Sequence, residues 1–383
     1  MQLHADQLRA RVGPLFQENF GELGELGAAV SVWQNGRLLL DLYGGFRDAQ
    51  REQPWTNDTL VLIWSVTKGI GSACLLHALQ EHKIDIEQRV GDFWPEFAQS
   101  GKQNITLAQL LSHQAGLAAL DQSVDILDYD AVVDAIEKQA PNWPPGTAHG
   151  YHARTFGFVL DELVRRISGT RISEYWRKTF AEPAGLDLWI GLPEHENARV
   201  ATMYAPRVGK VPEPKHFYRD VATRGTFAHK VFTSPCGLNS VSEMNKSEIR
   251  AQPIVSLGGI GNANSLAKFY AILANGGSDS DGRLFFSEKT LGWMATTLSD
   301  GLDRVFQIST AFSAGFMKDS QNAVRRRFGE SASAFGHPGA GGGNAFADPE
   351  NGIAFAYVMN QMEQSVLPNE KSLRLVKAIY SAT

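Results

Sequence analysis

The sequence predicts an α+β fold, in which both ends of the chain build one central antiparallel sheet flanked by helices, beside a mainly helical lobe. Three observations predict it. Residues 28–45, AAVSVWQNGRLLLDLYGG, place Asn-Gly between two apolar-rich runs, a strong hairpin signal because these residues accept the positive φ of a tight turn. From roughly 80 to 190, apolar residues recur at three- and four-residue steps, the period of an amphipathic helix. The last third returns to strand-like runs at 311–318 and 334–360. Strands at both ends imply a discontinuous domain, 1–75 with 250–383, and a helical lobe over 76–249 that carries a long irregular insertion.

Taken in order, residues 1–20 mix charge and apolar residues at helical spacing. The hairpin follows, and then a helix over about 66–83 whose GSACLLHALQEHK keeps the helical period. ITLAQLLSH (105–113) starts with Thr106 as an N-cap. YDAVVDAIEKQ (129–139) and TFGFVLDELVRRISG (155–169) read as helices, the second closed by Gly169. Between 193 and 250 the pattern dissolves into Pro, Gly and aromatics, the composition of a binding loop or lid. NSLAKFYAILANGG (264–277) returns to helix, with Asn264 or Ser265 as cap. AFSAGFMK (311–318) reads as one strand, 334–360 as two strands around a Pro-Glu-Asn-Gly turn, and 370–382 as a final helix.

The 383 residues are 43% hydrophobic and 20% charged, an ordinary globular composition, and the net charge of −5 favours neither nucleic acid nor an anionic membrane as partner. Cys74 and Cys236 are the only cysteines, without CxxC or Cys/His spacing, so neither metal nor disulfide framework is expected. The helical neighbours of Cys74 read as packed core rather than as the setting of a nucleophile. No cofactor is expected. The first residues lack a continuous apolar h-region, and no run approaches the roughly 18 apolar residues of a membrane span. A cytoplasmic location is the expectation.

Chemistry enters at IWSVTKGIGSACLLHAL, which begins at Ile63. Ser65 and Lys68 stand one helical turn apart on a shared face. Lys68 there is a proton acceptor for the serine or a solvated charge near a helix start. Spacing alone does not choose, since Ser265 and Lys268 repeat the pattern. Ser265 has a simple reading as a helix cap, with Lys268 facing water. Lys68 instead follows the apolar run LVLIW, and a lysine stripped of hydration loses preference for its charged form.

At this point the residues resemble a known family. SVTKGI is similar to the Ser-x-x-Lys nucleophile motif of serine β-lactamases, penicillin-binding proteins and their esterase relatives. The likeness continues in LAQLLSHQAGL (107–117), in PPGTAHGYHARTFGFVLDELVRRISG (144–169) around Tyr151, and in FGHPGAGGGNAFADPENGIAFAYVMN (335–360). It therefore spans roughly 30–360 and implies a β-lactamase-like fold. Two motifs depart from the penicillin-recognising pattern. Ala153 stands where an asparagine is expected, and His337-Pro338-Gly339 replaces Lys-Thr-Gly or Lys-Ser-Gly. The missing groups would bind the amide and carboxylate of a β-lactam. Ester hydrolysis needs neither, and Tyr-His-Ala with His-Pro-Gly is similar to family VIII carboxylesterases.

The resemblance implies acyl transfer from Ser65, with Lys68 and Tyr151 receiving its proton. A Tyr151 phenol depressed by a lysine cation is one expected form of the base. Backbone N–H groups of Ser65 and Ala340 are the implied oxyanion hole. His337, Gly339 and Trp64 are candidate substrate contacts, His152 a structural group, and the aromatics of HFYRD (216–220) and GTFAHKVF (225–232) a candidate roof. The implied partner is a small-molecule ester. Alternatives are a β-lactamase or D,D-peptidase, an acyltransferase, and a non-catalytic binding protein of the same fold. No Gly-x-Ser-x-Gly elbow occurs, which argues against an α/β-hydrolase.

Overall fold

The Asn-Gly signal forms the hairpin it predicts. Strand β1 (Gly27–Gln34) turns through Asn35 and Gly36, at φ 49° and 72°, into β2 (Arg37–Gly45). In this computed structural model, residues 1–383 are described except 208, 210–212, 322–325 and 382–383. The eight-stranded sheet adds β6 (Ser299–Leu302), β7 (Ser309–Phe312), β8 (Met317–Lys318), β9 (Phe335–Pro338), β10 (Asn344–Asp348) and β11 (Ile353–Met359). Its order is β2-β1-β11-β10-β9-β8-β7-β6, with antiparallel neighbours throughout. The first hairpin thus pairs with the last strand, Val30 opposite Tyr357.

Helices cover both sheet faces, which is why β1 is buried along its whole length. Trp33 Nε1 donates to Asn264 Oδ1 (3.0 Å) on the helix Ala263–Ala274. The opposite face meets the N-terminal helix Ala5–Gly21, where Asn19 Nδ2 donates to Tyr357 OH (3.5 Å). That helix packs on the C-terminal helix Glu370–Tyr380, and the expected extension to 382 lies outside the described residues. A second sheet orders β3 (Val61–Trp64), β5 (Gly259–Gly261) and β4 (Leu188–Ile190) as β3-β5-β4. The helix Thr67–Glu81 leaves β3 and packs against Thr155–Ser168. Among the described residues no helix is long and apolar enough to cross a membrane.

Thr106 caps Leu107–Leu111 through Gln109 N, and Gly169 ends Thr155–Ser168 in the left-handed conformation, as expected. Four expectations change. The cap of Ala263–Ala274 is Asn262, whose side chain accepts from Ser265 N (2.7 Å). Residues 311–318 split into β7 and β8, because Gly315 at φ 81° reverses the chain between them. Residues 334–360 contain three strands, β9 preceding the two around the turn. The 193–250 stretch holds short helices at Lys215–Ala222, Phe227–Thr233, Val241–Met244 and Ser247–Arg250, each too brief for its period to show; 208 and 210–212 within it lie outside the described residues.

Candidate active site

Strand β3 ends at Trp64, which adopts φ 50°. For a residue with a bulky side chain this left-handed turn costs on the order of 1–2 kcal/mol. Thr67 holds it in place, donating from Oγ1 to Trp64 O (2.5 Å) and accepting from Gly259 N (2.9 Å). Trp64 itself packs, half-buried, against the core. The reversal sets Ser65 at the mouth of the helix Thr67–Glu81, where Lys68 N bonds Ser65 O at 3.0 Å.

Lys68 is wholly buried. Its Nζ donates to Ser65 Oγ (3.1 Å) and to Ser256 O (2.6 Å), and lies 5.0 Å from the Tyr151 ring centre. Ser256 can approach because Gly157 faces it; a Cβ there would stand 2.3 Å from Ser256 N. Burial, aided by the nearby Arg154 cation, holds the Lys68 amine well below its ordinary value. A neutral amine has a lone pair with which to take the proton of a hydroxyl.

Tyr151 is also buried, with its phenol close enough to Ser65 for the serine hydroxyl to favour its charged form. Its ring stacks on Phe306, 5.0 Å between centroids at 21°. Burial pushes the phenol well above its ordinary value despite the Ser65 hydroxyl, and the Asp303 charge adds to the rise. This overturns the expected depressed tyrosine. The expectation assumed a lysine cation beside the ring, whereas desolvation disfavours the charged forms of both groups.

The third segment reaches the nucleophile turn through β9, against Ile63 and Val66. Gly339 makes the approach possible, since a Cβ on it would lie 2.6 Å from Ile63 O. Around it, Gly339 N, Gly341 N and Gly342 N bond to Gly343 O, Ser365 O and Gly339 O. The N–H groups of Ser65 and Ala340 have no partner among the described residues. His337 is buried; its Nδ1 donates to Pro338 O (2.8 Å), and Nε2 has no partner among the described residues. Burial and the proximity of Lys68 hold it down to about 3, so it is neutral. His152 has a structural place, donating from Nδ1 to Gly150 O (2.7 Å) and accepting Leu117 N at Nε2 (2.8 Å).

The second Ser-x-x-Lys pair diverges. Ser265 Oγ accepts from Asp187 N (2.9 Å), so it is not the cap, and Lys268 Nζ donates to Ala184 O (2.7 Å) rather than facing water. Cys74 is buried, its thiol pushed well up. The aromatic 216–232 segment joins the neighbourhood of Tyr151 through Phe306, which Phe217 meets at 5.2 Å and Phe232 at 6.5 Å.

Sequence reasoning missed three contributors: Ser256, Arg154 and Asp303. Arg154 is buried without a carboxylate, bonding Pro235 O (2.8 Å), Gly237 O (2.6 Å), Leu238 O (3.1 Å) and Asn239 Oδ1 (3.2 Å). Only its place three residues after Tyr151 was available as a signal. Among the described residues, no three His, Cys, Asp or Glu side chains gather to hold a metal ion.

The chain is similar to known proteins. The Beta-lactamase family model matches residues 15–378. The esterase/beta-lactamase LipL of Mycobacterium tuberculosis (strain ATCC 25618 / H37Rv) is 29% identical over 343 residues, 88% of this chain and 77% of that protein. Among solved structures, a penicillin-binding protein homolog from Caulobacter crescentus superposes with a TM-score of 0.87 at 35% identity, covering 100% of this chain and 99% of that one. A family VIII carboxylesterase gives 0.87 at 33% identity with the same coverage.

Proposed function

The chain belongs to the beta-lactamase family, and from that premise we propose that it is a serine carboxylesterase, hydrolysing small, short-chain esters through an acyl-enzyme on Ser65. The observation that carries this reading is the buried Lys68 amine 3.1 Å from Ser65 Oγ. Ser65 Oγ attacks the ester carbonyl while its proton passes to the Lys68 lone pair. The carbonyl oxygen gains charge and is met by the unpartnered N–H groups of Ser65 and Ala340. As the tetrahedral intermediate collapses, Tyr151 gives its proton to the departing alkoxide and is refilled from Lys68. Water then attacks the acyl carbonyl and loses a proton to Lys68; as the Ser65 Oγ–acyl bond breaks, that proton returns to Oγ and the acid leaves. Lys68 is the primary base and Tyr151, held protonated by burial, the acid.

Esterase stands ahead of β-lactamase for electrostatic reasons. A β-lactam brings a carboxylate. His337 is neutral, Lys68 is held well below its ordinary value, and Arg154 is engaged with four oxygens. Ala153 offers no amide partner. The names of the family VIII carboxylesterase and of the esterase/beta-lactamase relative support the same class.

Intact mass spectrometry after brief exposure to p-nitrophenyl butyrate tests the proposal. A butyryl adduct on the peptide holding Ser65, absent in Ser65→Ala, is expected. An adduct on Ser265, or nitrocefin turned over much faster than the ester, would overturn it.

A further inference from the structure

The loop between β6 and β7 closes around one buried carboxylate. Asp303 Oδ1 accepts from Val305 N (2.7 Å), Phe306 N (2.8 Å) and Tyr151 N (3.3 Å). Oδ2 accepts from Thr310 Oγ1 (3.0 Å), whose own oxygen faces His149 Nε2 (2.9 Å). His149 O in turn accepts Arg304 N at 3.0 Å. The 149–151 segment is therefore gripped from both sides by the 303–310 loop, and the same loop supplies the Phe306 ring that stacks on the Tyr151 ring.

A wholly buried carboxylate is costly unless its lone pairs are used, and here four donors use them. The arrangement ties backbone and ring of Tyr151 to a single anchor. Tyr151 has no regular element of its own to hold it: it precedes the helix Thr155–Ser168 by four residues. His113 also touches this segment, its O accepting from Gly150 N (3.1 Å) and its ring lying 5.3 Å from that of Tyr151, but among the described residues only the 303–310 loop binds the Tyr151 N–H and stacks on its ring.

We propose that Asp303 is a positioning residue for Tyr151: through its bond to Tyr151 N and the loop that carries Phe306, it aims the phenol at the leaving-group side of the site. This rests on Tyr151 being the acid that protonates the departing alcohol. A phenol misaimed by an ångström delivers that proton poorly but leaves Ser65 attack by Lys68 intact. The defect must therefore depend on how badly the leaving group needs a proton.

The test compares kcat/KM, which reports acylation, for ethyl butyrate and p-nitrophenyl butyrate in native protein and in Asp303→Asn. An alkoxide requires protonation; p-nitrophenolate does not. Asp303→Asn is expected to lose about tenfold more on the ethyl ester than on the activated one, a share of the hundredfold or greater effect of general acids. Should Asp303→Asn not fold, Thr310→Val, which removes the Oδ2 partner and that hydroxyl's contact with His149 Nε2 but keeps the bonds to Oδ1, must show the same split at smaller size. Equal losses on both esters, or none, would overturn the proposal. Native protein that hydrolyses neither ester removes the esterase reading beneath it instead.

Discussion

Gly339 rests against the carbonyl of Ile63, in a gap that would leave an added Cβ 2.6 Å from the oxygen. This contact joins β9 to the end of β3, and on the proposed reading it is what places the Ala340 N–H beside Ser65. Two segments 276 positions apart (339 − 63) meet because a side chain is missing at the point of closest approach, which the proposed oxyanion site requires.

Gly339→Ala must push β9 away from the nucleophile turn. Its kcat/KM for p-nitrophenyl butyrate is expected to fall about a hundredfold, the scale of losing one oxyanion donor. Unchanged kinetics would remove Ala340 from the hole.

Lys68 sits well below its ordinary 10.5, so the unfolded chain binds a proton that the folded chain does not. Folding is disfavoured at this position near neutrality, and the disadvantage fades as pH climbs toward 10.5. Lys68→Met should unfold at higher denaturant than the native protein at neutral pH, by a margin that shrinks as pH rises. Its acylation should drop about a thousandfold. A margin constant across that range would mean that Lys68 is charged.

Arg154→Gln removes a cation that acts on Lys68 and a clamp on residues 235–239. With the cation gone, Lys68 keeps its proton to higher pH, and only its neutral form accepts from Ser65. The acidic limb of the kcat/KM profile should move upward in pH; a downward move would contradict the electrostatic account. Loss of hydrogen bonds from a charged group should also lower stability by about 2–4 kcal/mol, read by urea denaturation.

Neutral esters should be preferred to anionic ones. Monoethyl succinate, compared with ethyl butyrate, is expected to lose at least about tenfold in kcat/KM, corresponding to roughly 1.4 kcal/mol in the transition state. Preference for the anion would indicate a cation within the site.

Much of this was legible in sequence. Asn35-Gly36 announced the first hairpin, Thr106 and Gly169 marked helix ends, and Ser65, Lys68 and Tyr151 fell in segments whose likeness to a family was readable in order. Those signals are local: a positive φ, an orphan N–H, a helical spacing. The cap at Asn262, the break at Gly315 and the short helices between 215 and 250 were not legible, because each is decided by neighbours distant in the chain or is too brief to show a period.

The chain's own order of residues determined the sheet-forming ends, the helical middle and the serine–lysine turn. The apolar run before Lys68 already favoured that Ser-x-x-Lys pair in sequence; tertiary structure decided that its lysine is wholly buried and lies against a phenol, while Ser265 and Lys268, at the same spacing, bond elsewhere. It also set the direction in which Lys68 and Tyr151 are shifted, down and up. Desolvation is a property of everything packed around a group, and no neighbouring residue in the sequence reports it.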